Sequence, residues 1–410
     1  MSQRGLQPSD ARLVKLALLQ NSSLSILKLG YNNLCDDGAT TLASGIAAHG
    51  ALRSLDLGFN NLGDEGCTSL AKSLLLARAT LHTLYLAGNS IGPAGATALA
   101  DVVRQGCGLQ RLHLTGNRIG PEGARAVVDA FVEDELRMDG HGATVMQNGD
   151  SPSPQVSSGP ALDPRRSRGV KELFLGGTGM SREGCEAVAR LLEHSSSLKV
   201  LSLANCDLGD NEAILLAESI KRNQSLPLET LQLSFNNLTC KGIEALMNAI
   251  WGSQTLRELR LDNNSISDRG AQVVSAVLSS VKTLTRLDLG FNSISSTGMK
   301  VLMKAVADNQ QLSFLSISGN PIDTGAAKAV AYALAYNRSL MSLFLDHCSV
   351  GHEGQRHITA GIVSNSGTCL HTLTGFRIGG KSTTSWAIFI VQQCWLFFFT
   401  ETKCFSHSKF

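Results

Sequence analysis

No excess of charge of either sign marks this chain: 36 basic against 34 acidic residues leave a formal charge of +2. That balance gives no electrostatic footprint for nucleic acid or an anionic membrane. Paired cysteines are missing too. The ten stand at positions 35, 67, 107, 185, 206, 240, 348, 369, 394 and 404, with no C-x-x-C and no Cys/His cluster at zinc spacing. The opening MSQRGLQPSDARLVKLALLQ is broken by charges before any useful apolar run, so no secretory signal is read there. Free thiols in a reducing compartment are the expectation, cytoplasmic with the nucleus as an alternative. Sequons such as Asn21-Ser-Ser and Asn337-Arg-Ser are then incidental.

Catalytic signatures are absent as well. No G-x-S-x-G, P-loop, H-E-x-x-H or dinucleotide fingerprint occurs, and the ten histidines do not group at i,i+4 spacing. Neither an active site of its own, nor a cofactor, nor a metal is expected. Proline is scarce at 9 and aromatics make up 5%, whereas glycine reaches 40 and leucine dominates the apolar set.

What the chain does have is a period. The pattern L-x-x-L-x-L-x-x-N-x-L, followed by Gly, starts at Leu24, Leu52, Leu81, Leu109, Val170, Leu198, Leu228, Leu256, Leu284, Leu312 and Leu340, with a damaged copy at Leu370. Successive spacings are 28, 29, 28, 61, 28, 30, 28, 28, 28, 28 and 30. The 61 is two periods plus about five, so a copy has been lost or one has been stretched.

Each copy reads in two halves. In LRSLDLGFNNL, Leu55 and Leu57 are two apart and share one face of a strand, leaving Ser54, Asp56 and Gly58 on the other. In DEGCTSLAKSLLLARA the period changes: Leu70 and Leu74 are four apart, on one stripe of a helix. Gly66, at the helix start, suits close approach of the neighbouring coil. One strand and one helix cannot bury these leucines, whereas stacked copies can. Parallel strands are then expected along an inner curve and helices along the outer one.

An Asn stands where the chain leaves each strand, at Asn32, Asn60, Asn89, Asn117, Asn236, Asn264, Asn292 and Asn320. Its amide offers donors and an acceptor to backbone groups stranded by the turn. Cys206, Cys348 and Thr178 fill the same slot, so the two cysteines are read as structural.

On these residues the chain resembles the leucine-rich repeat, and the 28-residue period with Asn/Cys alternation resembles the ribonuclease-inhibitor subtype. That subtype also occurs in the sensor arrays of NOD-like receptors and in the GTPase-activating protein for Ran. The resemblance covers about residues 11–375 and implies an α/β solenoid, a horseshoe with parallel strands on its concave face and helices on its convex face. The missing P-loop excludes a complete NOD-like receptor.

The expected organisation is a capping half-repeat at 1–23, four repeats over 24–132, a disordered Pro/Ser/Gly-rich insertion at 133–168, the remaining repeats over 169–375, and an atypical hydrophobic tail at 376–410. The cap is a helix over 8–20 with Ser9 or Asp10 as N-cap. The insertion holds four of the nine prolines. In the tail, the apolar run from Trp386 to Phe399 is short for a bilayer span. It is read as a spliced or misassigned end, a hydrophobic cap, or a membrane-surface element.

What varies between copies is the outward strand position between the second and third leucines. It reads Lys28, Asp56, Tyr85, His113, Phe174, Ser202, Gln232, Arg260, Asp288, Ser316 and Phe344. Tyr85, His113, Phe174, Gln232, Arg260, Asp288 and Phe344 are the candidate protein-binding residues, with the aromatics as anchors. A mixed charge patch at Arg257, Glu258, Arg260 and Asp262 is either internally paired or meets a partner. A second row, Tyr31, Phe59, Phe235 and Phe291, is expected to pack edge-on against neighbouring turns. The function these features imply is a non-catalytic scaffold that binds a protein through the concave face, in signalling or innate-immune regulation as among its relatives. Regulation of a small Ran-like GTPase is the alternative, although no long acidic C-terminal run is present.

Overall fold

The structure is a computed structural model, and it describes residues 1–76, 81–138 and 169–375 with the short pairs 377–378 and 381–382. The described chain forms two compact units, Met1–Leu208 with Glu218–Leu228, and Gly209–Ala217 with Glu229–Phe410.

In the first unit a 3-10 turn (Pro8–Asp10) leads into α1 (Ala11–Gln20), then β1 (Ile26–Lys28), α2 (Cys35–Ala48), β2 (Ser54–Asp56), α3 (Asp64–Leu76), β3 (Thr83–Tyr85), α4 (Pro93–Arg104), β4 (Arg111–His113), α5 (Gly120–Met138), β5 (Glu172–Phe174), α6 (Arg182–His194) and β6 (Val200–Ser202). The helix α7 (Asp210–Arg222) follows. The second unit continues with β7 (Thr230–Gln232), α8 (Cys240–Ile250), β8 (Glu258–Arg260), α9 (Ser267–Leu278), β9 (Arg286–Asp288), α10 (Ser296–Asp308), β10 (Phe314–Ser316), α11 (Thr324–Tyr336), β11 (Ser342–Phe344), α12 (His352–Ser364) and β12 (Thr372–Thr374). A hairpin of β13 (Arg377–Ile378) and β14 (Lys381–Ser382) ends the described chain. The rest of the tail lies outside the described residues.

Within each unit the strands β1 to β6 and β7 to β12 pair parallel with their neighbours and in sequence order. Leu27, Leu55, Leu84, Leu112, Leu173 and Leu201 stand in one register line, and Leu231, Leu259, Leu287, Leu315, Leu343 and Leu373 stand in another. The strands are only three residues long because the chain must turn as soon as its leucines are buried. In the second coil Leu52, Leu55, Leu57, Leu62, Leu70 and Leu74 are each at most 4% exposed. At roughly 1.5–3 kcal/mol for each buried aliphatic side chain, this shared lining drives the folding of every coil.

The 61-residue spacing is one stretched coil, because β4 pairs directly with β5. The extra chain does not begin at residue 133 as expected: α5 runs on to Met138. The extension is anchored by Glu135, which is fully buried. Its carboxylate accepts from Ser195 Oγ at 2.8 Å, from Ser196 N at 3.3 Å and from Ser197 Oγ. Gly169, where the described chain resumes, has room for no side chain there, since a Cβ would lie 2.5 Å from Glu135 Oε1. The remainder of the insertion lies outside the described residues.

The N-terminal helix also differs in detail. Asp10 takes the expected N-cap position of α1 but makes no side-chain bond to that helix: it belongs with Ser9 to the 3-10 entry turn, and its carboxylate accepts from Gln7 N at 2.8 Å. Entering through this turn lets Leu6 and Arg4 donate to Asn32 Oδ1, both at 3.0 Å, so the N-terminal residues stand in for a preceding coil.

Candidate functional site

Where the chain leaves each strand, the Asn side chain stitches two coils together. Asn89 Nδ2 donates to Leu86 O at 2.9 Å in its own coil and to Leu57 O at 3.0 Å in the coil before, while Oδ1 accepts from Asn60 N and Leu62 N at 2.9 and 3.0 Å. Asn320 does the same with Ile317 O and Leu289 O, both 2.9 Å, and with Asn292 N and Ile294 N at 3.1 and 2.9 Å. Asn117 and Asn264 likewise donate to carbonyls of both coils, Leu114 O and Leu86 O for the one, Leu261 O and Leu233 O for the other. Asn236 donates to Leu233 O at 2.9 Å.

The substitutes keep the donor and offer sulfur or a hydroxyl oxygen as acceptor in place of the amide oxygen. Cys206 Sγ donates to Leu175 O and Cys348 Sγ to Ile317 O, both at 3.3 Å, and Thr178 Oγ1 donates to Leu175 O at 2.6 Å. Burial pushes both thiols up to about 11, so each stays protonated as a donor at neutral pH. All eight described cysteines are free.

A second ladder escaped the sequence reading. Asp36 Oδ1 accepts from Gly63 N and Gly66 N of the next coil at 2.6 and 3.0 Å, and Asp64 Oδ1 accepts from Gly92 N and Gly95 N, both 2.7 Å. Asp210 and Asp268 repeat this in the second unit, on Thr239 N and Gly242 N, and on Ser295 N. Each carboxylate thus caps its neighbour's helix, where unpaired N–H groups and the helix dipole favour an anion. At Asp210 burial pulls the pKa up, but the Thr239 and Gly242 donors outweigh it and hold the group below its ordinary value. This also accounts for Gly66, because a Cβ there would lie 2.5 Å from Asp36 Oδ1. The available signal was an acidic residue at the head of successive helices, one period apart.

Against this fixed frame the outward strand positions differ from coil to coil. In the first unit the register places Tyr85, His113 and Phe174 side by side. Their rings stack: Tyr85 and His113 centroids are 4.1 Å apart at 31°, and those of His113 and Phe174 are 4.0 Å apart at 13°. In the fold these rings cover one another. Beside them Arg111 Nε meets Glu172 Oε1 at 2.6 Å. His113 Nε2 is buried without a partner. Burial lowers the imidazole to about 4, Glu172 pulling it up and Arg111 pushing it down, so the central ring of the stack is neutral at physiological pH. Burial, then the Glu172 charge, raises the Tyr85 phenol.

The second unit has a different lining. Gln232, Arg260 and Asp288 share one row on β7, β8 and β9, with Phe344 two strands further on. Within the charge patch Arg260 and Glu258 pair: Arg260 Nε lies 2.6 Å from Glu258 Oε1, and Arg286 Nε lies 3.7 Å from the same atom. The Arg286 guanidinium sits 3.9 Å over the Phe314 ring, and Phe314 packs at 4.9 Å on Phe344. Ser234 Oγ donates to Asp262 at 2.5 Å, and Gly290 N donates to Asp288 at 3.0 Å. Burial, with the Asp262 charge adding to it, raises the Asp288 carboxyl pKa. Arg111, Glu172, Arg286 and Phe314 belong to the other outward position of each strand, which the sequence reading did not tabulate.

The second aromatic row is not edge-on. Tyr31 and Phe59 stack face to face, 4.4 Å apart at 9°. Tyr31, Phe59, Phe235 and Phe291 all have φ between 53° and 59°, a left-handed backbone, and the rings of Tyr31, Phe59 and Phe291 lie across the next coil. Phe59 and Phe291 occupy the space over Gly88 and Gly319, where a Cβ would meet the ring at 2.3 and 2.2 Å. The four rings remain 45–56% exposed. Of the sequons, Asn337 is 3% exposed and its Nδ2 donates to Val306 O and Asn309 O, both at 2.7 Å, which removes it as a glycan acceptor.

Among the described residues no group of three His, Cys, Asp or Glu is placed to hold a metal ion. No described helix is long and apolar enough to cross a membrane. The family described as Leucine Rich repeat matches residues 20–43, 52–71, 79–100, 108–128, 194–217, 224–247, 252–275 and 282–303. The chain is a leucine-rich repeat protein. Its Asn/Cys slot and 28-residue period are of the ribonuclease-inhibitor-like type, in keeping with its relatives. This leucine-rich repeat chain is 25% identical over 253 residues to the ribonuclease inhibitor of Sus scrofa, which is 61% of this chain and 54% of the inhibitor. Over 86 residues it is 33% identical to NACHT, LRR and PYD domains-containing protein 4B of Mus musculus, 21% of this chain and 10% of that protein. Over 87 residues it is 34% identical to NACHT, LRR and PYD domains-containing protein 13 of Homo sapiens, 21% of this chain and 8% of that protein. The chain thus spans about half of the inhibitor and a tenth or less of the other two.

Proposed function

We propose that this leucine-rich repeat protein is a non-catalytic scaffold that binds a partner protein through its strand face, with Tyr85, His113 and Phe174 as the anchor. The observation that carries the reading is the stack itself. Three rings from copies 28 and 61 residues apart are assembled on one half-buried surface, although nothing in the leucine frame requires an aromatic at any of the three. Rigid aromatic clusters with a neutral centre present large contact area at low entropic cost, which is the usual make-up of an interface hot spot. A role in signalling or innate-immune regulation is part of the proposal, supported by the likeness to the two NACHT, LRR and PYD domains-containing proteins.

The test is a pull-down with the full chain and its Tyr85→Ala/Phe174→Ala/Phe344→Ala variant, captured proteins being compared by mass spectrometry. Loss of a defined set of proteins from the variant is expected. Equal recovery of every captured protein by both would overturn the reading.

A further inference from the structure

The second unit's strand face carries exposed rings, and carboxylates that form no ion pair among the described residues, Arg260 acting on Asp288 only from beyond ion-pair distance. Asp262 is held by Ser234 and Asn263, Asp288 by Gly290, and Asp346 by Thr374, all neutral donors. Among the described residues none of these three has a cation within ion-pair distance, because the face's two arginines are engaged elsewhere. Arg260 is drawn to Glu258, and Arg286 lies between Glu258 and the Phe314 ring. Asp262 and Asp288 belong to neighbouring coils whose strands β8 and β9 pair directly. The mutual repulsion of these two carboxylates and the burial of Asp288 both disfavour the charged state in the free protein.

Phe235, in the coil before that of Asp262, and Phe291, in the coil of Asp288, stand 56% and 45% exposed. A planar cation answers both features: it neutralises the carboxylates and lies flat on a ring. The face already accepts one such group, since the chain's own Arg286 guanidinium rests 3.9 Å over Phe314. Guanidinium is preferred to ammonium in such a place because it stacks on aromatic faces and pairs with carboxylates through a rigid fork.

We infer that the second unit's strand face, at Asp262, Asp288, Phe235 and Phe291, is a docking surface for an arginine-bearing segment of a partner protein. This rests on the reading that strand faces meet partners, but on a different unit and a different chemistry from the Tyr85–His113–Phe174 anchor. The two therefore fail separately.

The full chain is titrated into fluorescein-labelled nona-arginine and nona-lysine peptides at physiological salt, with binding followed by anisotropy. Nona-arginine is expected to bind more tightly than nona-lysine. Asp262→Asn/Asp288→Asn should weaken it by about tenfold or more, and Phe291→Ala, which removes a half-exposed ring packed over Gly319, by about threefold or more. Tyr85→Ala/Phe174→Ala should leave it unchanged, which separates this surface from the anchor. Melting curves matching the parent's show that each variant is folded, and Phe291→Ala serves if the double carboxamide is not. Overturning results are nona-arginine binding within about twofold of the parent in either second-unit variant, equal affinity for both peptides, or a loss in the first-unit variant as large as in the second-unit ones.

Discussion

On β3 to β5 the outward row carries a ring from each of three strands, and the one ion pair beside it, Arg111–Glu172, is self-contained. On β8 to β11 the rings are two, an arginine lies over one of them, and the row holds an acid whose charge burial and Asp262 both oppose. The leucine lines beneath are the same, strand for strand. The two faces therefore differ in what they leave unsatisfied. The first offers apolar area around a neutral imidazole, while the second offers negative charge next to rings. Identical frames can carry different recognition chemistry because the inward and outward residues of a three-residue strand are decoupled.

The sharpest test of equal frames uses the two LDLGFN copies. Asn60 and Asn292 are each fully buried. Asn60 Nδ2 donates to Leu29 O and Gly58 O, both at 3.0 Å, and Asn292 Nδ2 to Leu261 O and Gly290 O at 2.9 and 3.0 Å. Asn60→Leu and Asn292→Leu should each destabilise by about 3 kcal/mol in chemical denaturation, through orphaned carbonyls and N–H groups. Cys348→Ala, which removes one weak donor, should cost about 1 kcal/mol. A large inequality between the two Asn variants would show that the frames are not equivalent.

Acid titration should separate the faces by sign. His113 is lowered to about 4 in the folded chain from its ordinary 6.5, so below 6.5 the unfolded chain binds the extra proton. Its contribution to stability is therefore lost as pH falls from 6.5 towards 4, by about 1–2 kcal/mol once its partial exposure is discounted. Asp288, raised above its ordinary value of 3.8, binds its proton more readily when folded. Its contribution runs the other way, falling as pH rises from 3.8 through the folded value. Denaturation of His113→Phe and Asp288→Asn across pH 4–7 should flatten opposite slopes, and slopes of the same sign would contradict the assigned burial. The smallest effect is expected from Arg286→Ala, about 0.5–1 kcal/mol, since its stacking is partly exposed. A value near zero would mean that the guanidinium is held by nothing but solvent.

Much of the frame was legible beforehand because leucine spacing of two and then four is dictated by the strand and helix periods themselves. The 61-residue interval was not, since a lost copy and a stretched one leave the same leucines, and only the β4–β5 pairing separates them. Tyr85, His113, Phe174 and Phe344 were visible as outward residues, yet the stacking of His113 on Phe174 depends on a register across a gap that sequence separation hides. Half of the outward surface went unread, Glu172, Arg286 and Phe314 among it, because one variable position per coil was followed where the pleat exposes two. The rim aromatics were placed but misoriented, because a left-handed φ at a bulky ring is not an expectation that composition supplies.

Glu135 has a wider consequence. It draws the end of α5, the three serines after α6 and Gly169 to one point, so the coil is complete whether few or many residues join Met138 to Gly169. Extra sequence could enter or leave at this junction over evolutionary time without shifting a single leucine out of phase, which makes it a natural port for grafting a foreign segment onto the array.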